Sequence, residues 1–199
     1  MKYYFKILIS LAVFISTFSF ANLDAPVDML NSMSKKVLAG LEAQQNNLTD
    51  NYIHQLIDTE VVPYVDINRM AGSVLGRNYW TQATSAQRDE FIQQFKKLVI
   101  STYSAAMASY DDDRIEFYPL RGGYANKTAL QVQSILIRKN GQRVSINYNL
   151  TRAGDSWKIY DFVIENISMV QSYRSQFAAT LSQGGLPALL TKLKQHNQR

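Results

Sequence analysis

Asp161 and Glu165 are the residues of this 199-residue chain that come nearest to chemistry by type and spacing. On an extended segment, positions four apart share one face, and two carboxylates in a cavity can divide the roles of acid and base. The plainer reading is a partly buried Asp that pairs with an Arg or caps backbone. Asp111-Asp112-Asp113 offers oxygen ligands, but the spaced calcium loop with its terminal Glu is missing, and a solvated turn accounts for it. The only histidines are His54, on a helical segment, and His196, near the end, with no His-x-x-x-His pair between them. There is no Gly-x-Ser-x-Gly elbow, and Gly122-Gly123 lacks the Lys of a phosphate loop. With no cysteine at all, thiol catalysis and Cys-based metal sites drop out. These residues point away from catalysis, and neither a metal nor a cofactor is expected.

The elements that would position them fall into an order of helices, strands and helices. Pro26 suits a first helical turn, and Val27, Leu30, Met33, Val37 and Leu41 follow at spacings of three and four. A second helix begins near Asp50 and stops at Pro63. Asp66 caps a third, expected to end at Gly76. Thr84-Ser85-Ala86-Gln87 has the capping-box pattern and opens the longest helix, with Phe91, Phe95, Leu98, Val99 and Tyr103 on its apolar face.

After Asp113 the apolar period falls to two. Arg114 to Tyr118 is a short strand. Thr128 to Lys139 and Gln142 to Arg152 flank Asn140-Gly141, a strong hairpin signal. Val144, Ile146, Tyr148 and Leu150 alternate with polar residues, as on a half-buried antiparallel strand. Trp157 to Ile167 is expected to be one last strand, apolar on both faces and therefore central. Ser168 caps a helix that ends at Gly184-Gly185, and Pro187 starts a final short one. The expected fold class is α+β: a single domain with an antiparallel sheet of about four or five strands wrapped by helices.

The N-terminus decides the expected compartment. Lys2 and Lys6 precede an apolar run from Ile7 to Phe20, and Ser19-Phe20-Ala21 offers small residues at a cleavage point before Asn22. This pattern predicts a cleavable signal peptide over 1–21, a mature domain over 22–199, and export to the periplasm of a Gram-negative cell. The apolar run is about 14 residues, short of the roughly 20 that span a bilayer. Without Lys2 and Lys6 the formal charge falls from +5 to +3, with the basic residues scattered, so no nucleic-acid face is expected.

Two signatures resemble a known family. The first is Val62-Pro63-Tyr64-Val65-Asp66-Ile67, with Val74-Leu75-Gly76 and Trp80, continuing through Phe91, Phe95 and Tyr103. The second is Trp157-Lys158-Ile159-Tyr160-Asp161, then Val163, Glu165, Ile167-Ser168, Tyr173-Arg174-Ser175-Gln176-Phe177 and Gly184-Gly185-Leu186. Together they resemble the MlaC or toluene-tolerance family of periplasmic phospholipid-binding proteins. The resemblance implies a mixed α/β domain whose sheet and helices enclose acyl tails. It implies a carrier between an outer-membrane lipoprotein–porin complex and an inner-membrane ABC transporter with its MCE protein, which maintains outer-membrane lipid asymmetry. A shuttle of this kind is most simply a monomer.

A carrier must shield acyl chains from water. At about 0.8 kcal/mol per methylene, a chain of about 15 methylenes carries roughly 12 kcal/mol of transfer free energy, so an enclosed apolar cavity is required. The expected lipid-binding wall is Val144, Ile146, Tyr148 and Leu150 with Val163 and Ile167 beside them, facing Met70, Val74, Leu75, Phe95, Val99 and Tyr103. Arg69, Arg77, Arg121, Lys127 and Arg174 are candidates for headgroup or partner contact. Two other readings stay open: a small periplasmic enzyme of cone-like fold using Asp161, and an adaptor with an exposed apolar cleft.

Overall fold

The computed structural model describes residues 26–198, so the expected signal peptide lies outside the described residues. Helices α1 (Pro26–Ala43), α2 (Asp50–Glu60), α3 (Ile67–Gln82) and α4 (Ser85–Ala108) come first. The strands β1 (Arg114–Phe117), β2 (Ala129–Ile137), β3 (Arg143–Ala153), β4 (Ser156–Ile164) and β5 (Ile167–Ser168) follow, and α5 (Met169–Asn197) closes the chain. The strands pair in sequence order, all antiparallel, giving a five-stranded meander. Among the described residues no helix is long and apolar enough to cross a membrane.

Local chemistry sets most boundaries. The Thr84 hydroxyl accepts from the Gln87 amide at 3.2 Å while the Gln87 side chain accepts from the Thr84 amide at 3.0 Å, a complete capping box at the head of α4. Gly141, at φ 86°, turns the β2–β3 hairpin in the left-handed region that a side chain disfavours. The Ser168 hydroxyl accepts from the Gln171 amide at 3.1 Å and starts α5.

Two elements differ from expectation. The third helix breaks at Gly76, at φ 77° and ψ 157°, where its end was expected, but the chain then re-enters helix as far as Gln82. Tertiary contacts hold this added turn, since the Tyr79 hydroxyl donates to the Leu181 carbonyl at 3.0 Å and Arg88 Nε donates to the Trp80 carbonyl. The last strand does not run to Ile167. It ends at Ile164 and reverses through Glu165 and Asn166, both left-handed at φ 49° and 64°. Their handedness matches the twist of a tight hairpin, and the Glu165 carboxylate accepts from the Ser145 amide at 2.5 Å, tying the turn to β3. Strand β4 is therefore nearly an edge, with β5 covering Val163 and Ile164 and a single parallel bridge joining Val65 to Ile159.

The apolar residues gather in three groups. One unites α3, α4 and α5 around Phe91, Phe95, Tyr173 and Phe177, with Phe95 edge-on to Tyr173 at 5.2 Å between ring centres. A second lies between α1 and the sheet around Leu30, Val132, Leu150, Trp157 and Ile159. A third joins Leu41, Ile53, Ile57 and Ile100 where α1, α2 and α4 meet.

Asp161 ties the first group to the sheet. Alternation with Phe162 puts its side chain on the other face of β4, opposite Asn149, and it is only 6% exposed. It accepts from the Ser168 hydroxyl at 2.7 Å, the Val170 amide at 3.0 Å and Asn149 Nδ2 at 3.3 Å, joining β3, β4 and the head of α5. Asp161→Ala leaves a buried amide and an amide side chain unpaired, at a cost of about 1–3 kcal/mol for each such group. Urea unfolding is expected to show a lower midpoint at unchanged slope, with Asp161→Asn intermediate.

Candidate functional site

The buried residues of the three apolar groups stay separate, joined only at their margins by Val65 and Phe162 between the first two and Val61 between the last two. Between them lies a cavity of about 380 Å³, roofed by helices and floored by the sheet. From α1 come Met33, Ser34, Val37, Leu38 and Leu41; Ile57 of α2 and Val61 close one end. The roof continues with Val99, Ile100, Tyr103, Ala106 and Met107 of α4. The floor is Ile115 of β1, Leu136 of β2, Val144, Ile146 and Tyr148 of β3, and Phe162 and Ile164 of β4. Met169, the first residue of α5, and Tyr110, Asp113 and Arg138 complete the lining.

Strand register explains the floor. Leu136 pairs with Val144, Ile146 with Ile164, and Tyr148 with Phe162, so directly opposed residues project to one face and tile it without polar interruption. Ser134 also opposes Ile146, but its hydroxyl donates to the Ile146 carbonyl at 2.8 Å and so spends its proton on the sheet. An apolar cavity of about 150 Å³ accommodates benzene, so on that scale about 380 Å³ offers room for roughly fifteen carbons. A smaller void of about 70 Å³ adjoins it, lined by Met70, Phe95 and Val65 and sharing Ile57, Val99, Phe162 and Met169 with the larger one.

The expected wall residues separate into several places. Val99, Tyr103, Val144, Ile146 and Tyr148 line the main cavity. Met70 and Phe95 line the small void beside it, where Val99 is shared. Val74 and Leu75 are packed into the α3–α4–α5 core, at 0% and 3% exposure. Leu150, also at 0%, is closed off against Leu30 and Trp157. Val163 lies on the opposite face of β4, and Ile167 is 65% exposed beyond the turn. The contributions of α1, β1 and the end of β2 are absent from the expected wall. Helix α1 has the right spacing, but its apolar stripe reads equally as core.

The polar lining is sparse and sorted. Burial pushes the Tyr148 phenol above its ordinary range, partly offset by hydrogen bonding to Ser134 and Ser34. Burial likewise raises Tyr103, with Tyr173 adding to it. Arg138 and Asp113 are the only ionised lining groups. Arg138 Nη1 donates to Asp113 Oδ2 at 2.9 Å, and to the Ser109 hydroxyl and carbonyl at 3.2 and 3.3 Å. The Asp113 side chain is 6% exposed and that of Arg138 22%, so this pair is substantially desolvated. Nothing in the sequence separates Arg138 from Lys139 beside it as a turn-flanking cation; only the register of β2 directs it to the cavity.

The basic candidates lie elsewhere. Arg69 donates to the Thr151 hydroxyl at 2.6 Å and stacks over Tyr160 at 4.2 Å. Arg174 stands against Gly76, and no carboxylate among the described residues pairs with it. Arg77, Arg121 and Lys127 are exposed and outside the cavity wall. Asp161 and Glu165 do not form a carboxylate pair in a cavity, because β4 ends between them and Asp161 is occupied by three donors.

Phenols raised in the folded state have a readable consequence. As pH rises past 10, the phenols of the unfolded chain lose protons first while Tyr148 and Tyr173 retain theirs. The unfolded state then binds fewer protons, so stability is full below pH 10 and falls above it. Thermal unfolding followed by circular dichroism is expected to show that fall, and Tyr148→Phe to make it shallower.

Comparison with known proteins adds three findings. The family model described as MlaC protein matches residues 31–195. The chain is 24% identical over 176 residues to the intermembrane phospholipid transport system binding protein MlaC of Haemophilus influenzae, covering 86% of this chain and 81% of that one. It is 22% identical over 162 residues to the toluene tolerance protein Ttg2D of Pseudomonas putida, covering 80% and 74%. Among solved structures it resembles the phospholipid-binding protein of Ralstonia solanacearum, determined in complex with a phospholipid. That match has a TM-score of 0.79 and 28% identity over 85% of this chain and 95% of the other.

Proposed function

This chain belongs to the MlaC protein family, and from that premise we propose that it is a non-enzymatic phospholipid carrier of the Gram-negative periplasm. Its mature domain, from about residue 22, takes acyl chains into the cavity between the sheet and helices α1 and α4. It moves lipid between an outer-membrane lipoprotein–porin complex and an inner-membrane ABC transporter with its MCE protein, working as a monomer and without a cofactor. The observation that carries this reading is the cavity itself: about 380 Å³ of apolar space within a domain that has separate closed cores to hold it together. Its volume lies within the range of about 300–1,000 Å³ usual for small-molecule sites.

The physics of a carrier favours such walls. An apolar lining removes hydrocarbon from water at about 25 cal/mol per Å² yet sets no directional bond that would hinder release to another apolar site. A catalytic reading would need convergent polar groups in the cavity. Asp161, its one sequence candidate, is instead committed to the head of α5.

Native mass spectrometry of protein isolated from a Gram-negative periplasm, followed by lipid extraction, is the direct test. A stoichiometric phospholipid adduct is expected. Protein that comes off clean and takes no lipid from vesicles overturns the reading.

Two substitutions then separate wall from core. Val99→Trp fills space at the junction of both voids and is expected to lower lipid occupancy strongly in a folded protein. Leu150→Ala empties a closed core, costing about 2–5 kcal/mol of stability, and is expected to leave occupancy in the folded fraction unchanged.

A further inference from the structure

The cavity is not uniform along its length, and this determines how an amphiphile can lie in it. Its ionised lining groups, Asp113 and Arg138, stand together where the last turn of α4 meets the start of β1 and the end of β2. The opposite end, closed by Val61, Phe162 and Met169, has no ionised group in the main lining; in the small void beyond it Lys96 is the one cation, paired with Asp58 at 3.0 Å. Arg138 keeps 22% of its side chain exposed, so the charged end is also one where the lining reaches solvent.

We infer that a glycerophospholipid lies in this cavity with its phosphate against the Arg138 guanidinium, beside Tyr110, and its acyl chains directed toward Val61 and Met169. The inference rests on the carrier reading above and adds orientation and headgroup contact to it. The side-chain hydrogen bonds that Arg138 makes to the described residues all come from Nη1. Nε–H and the two Nη2 hydrogens therefore remain as donors, the fork that matches two phosphate oxygens. Asp113 and the Ser109 carbonyl hold the guanidinium in place without occupying that fork.

The rim around it presents both signs of charge. Asp113 is paired with Arg138, and Asp111 with Lys139 at 2.8 Å, so the phosphate does not meet a bare carboxylate cluster. Glu42 and the carboxylates of Asp111, Asp112 and Asp113 are close enough to raise the Tyr110 phenol, after burial itself. A zwitterionic headgroup therefore finds a cation for its phosphate and anions for its amine. No other basic candidate has this placement: Arg69 is held by Thr151 and Tyr160 away from the cavity.

Orientation can be measured directly, because a chain without cysteine accepts a single nitroxide at any introduced thiol. Lys139→Cys places the label beside the inferred phosphate. Thr59→Cys, on the exposed side of α2 two residues before Val61, places it at the other end. Each variant, isolated from the periplasm and loaded from phosphatidylethanolamine vesicles, is read by phosphorus NMR of the bound lipid. Several-fold greater broadening from the Lys139 position is expected. Equal broadening from both positions, or greater broadening from the Thr59 position, overturns the orientation while leaving the carrier reading intact. Absence of any bound lipid signal in the unlabelled protein overturns the carrier reading and this inference with it.

The contact itself is tested by release to acceptor vesicles. Arg138→Lys keeps a cation for Asp113 but lacks the fork, and Arg138→Gln with Asp113→Asn removes both charges together. Several-fold faster release is expected from both. Unchanged release in either folded variant overturns the role of Arg138.

Discussion

The apolar space between sheet and helices is the constraint around which the rest of this molecule is arranged. Side chains that line about 380 Å³ of space cannot also pack against one another, so closure of the domain rests on cores elsewhere. Those closed cores stand on either side of the space. The α3–α4–α5 group stacks Phe91 on Phe95 and sets Tyr173 and Phe177 edge-on to Phe95. The Leu30–Leu150–Trp157 group seals the other end of the sheet. Asp161, at 6% exposure, links the sheet to the head of α5.

This division explains what could and could not be read from the amino acids. Boundaries set by neighbours in the chain were legible: the Thr84–Gln87 box, the Asn140-Gly141 turn and the Ser168 cap each depend on residues within three positions. The helix–sheet order and the apolar face of β3 were legible for the same reason. Whether an apolar residue lines a space or fills a core was not, because side-chain chemistry is identical in both. Tyr148 and Leu150 are two apart on one strand face, yet one lines the cavity and the other is sealed against Trp157. Val74 and Leu75 have the periodicity of a wall and the surroundings of a core. Ile167 was lost to the expected wall by a conformation that its own type does not announce, the left-handed pair at Glu165 and Asn166.

Arg138 illustrates the same limit for polar residues. In sequence it sits beside Lys139 and ahead of Asn140-Gly141, a setting in which cations are ordinarily solvated. Pairing of Ile137 with Arg114 and Arg143 fixes the register of β2, and this brings the next residue to Asp113. Asp112, at φ 57°, turns the chain so that Asp113 points inward rather than into water with its two neighbours. A long-range register and a left-handed residue together convert two surface-looking charges into the one ionised feature of an apolar chamber.

On the proposed carrier reading, the distribution of polarity within the chamber matches the demands of carriage. Strong, directional contacts along the acyl chains would add affinity without a matching gain in the destination membrane, and would slow release. A single polar end avoids this. It orients the cargo and compensates the headgroup, which has to lose part of its hydration near low-dielectric walls. Holding the guanidinium through one nitrogen and leaving its fork open reconciles two requirements. Asp113 is paired through Nη1, so on the proposed carrier reading a phosphate at the open fork would not take the buried carboxylate's partner away during loading or release.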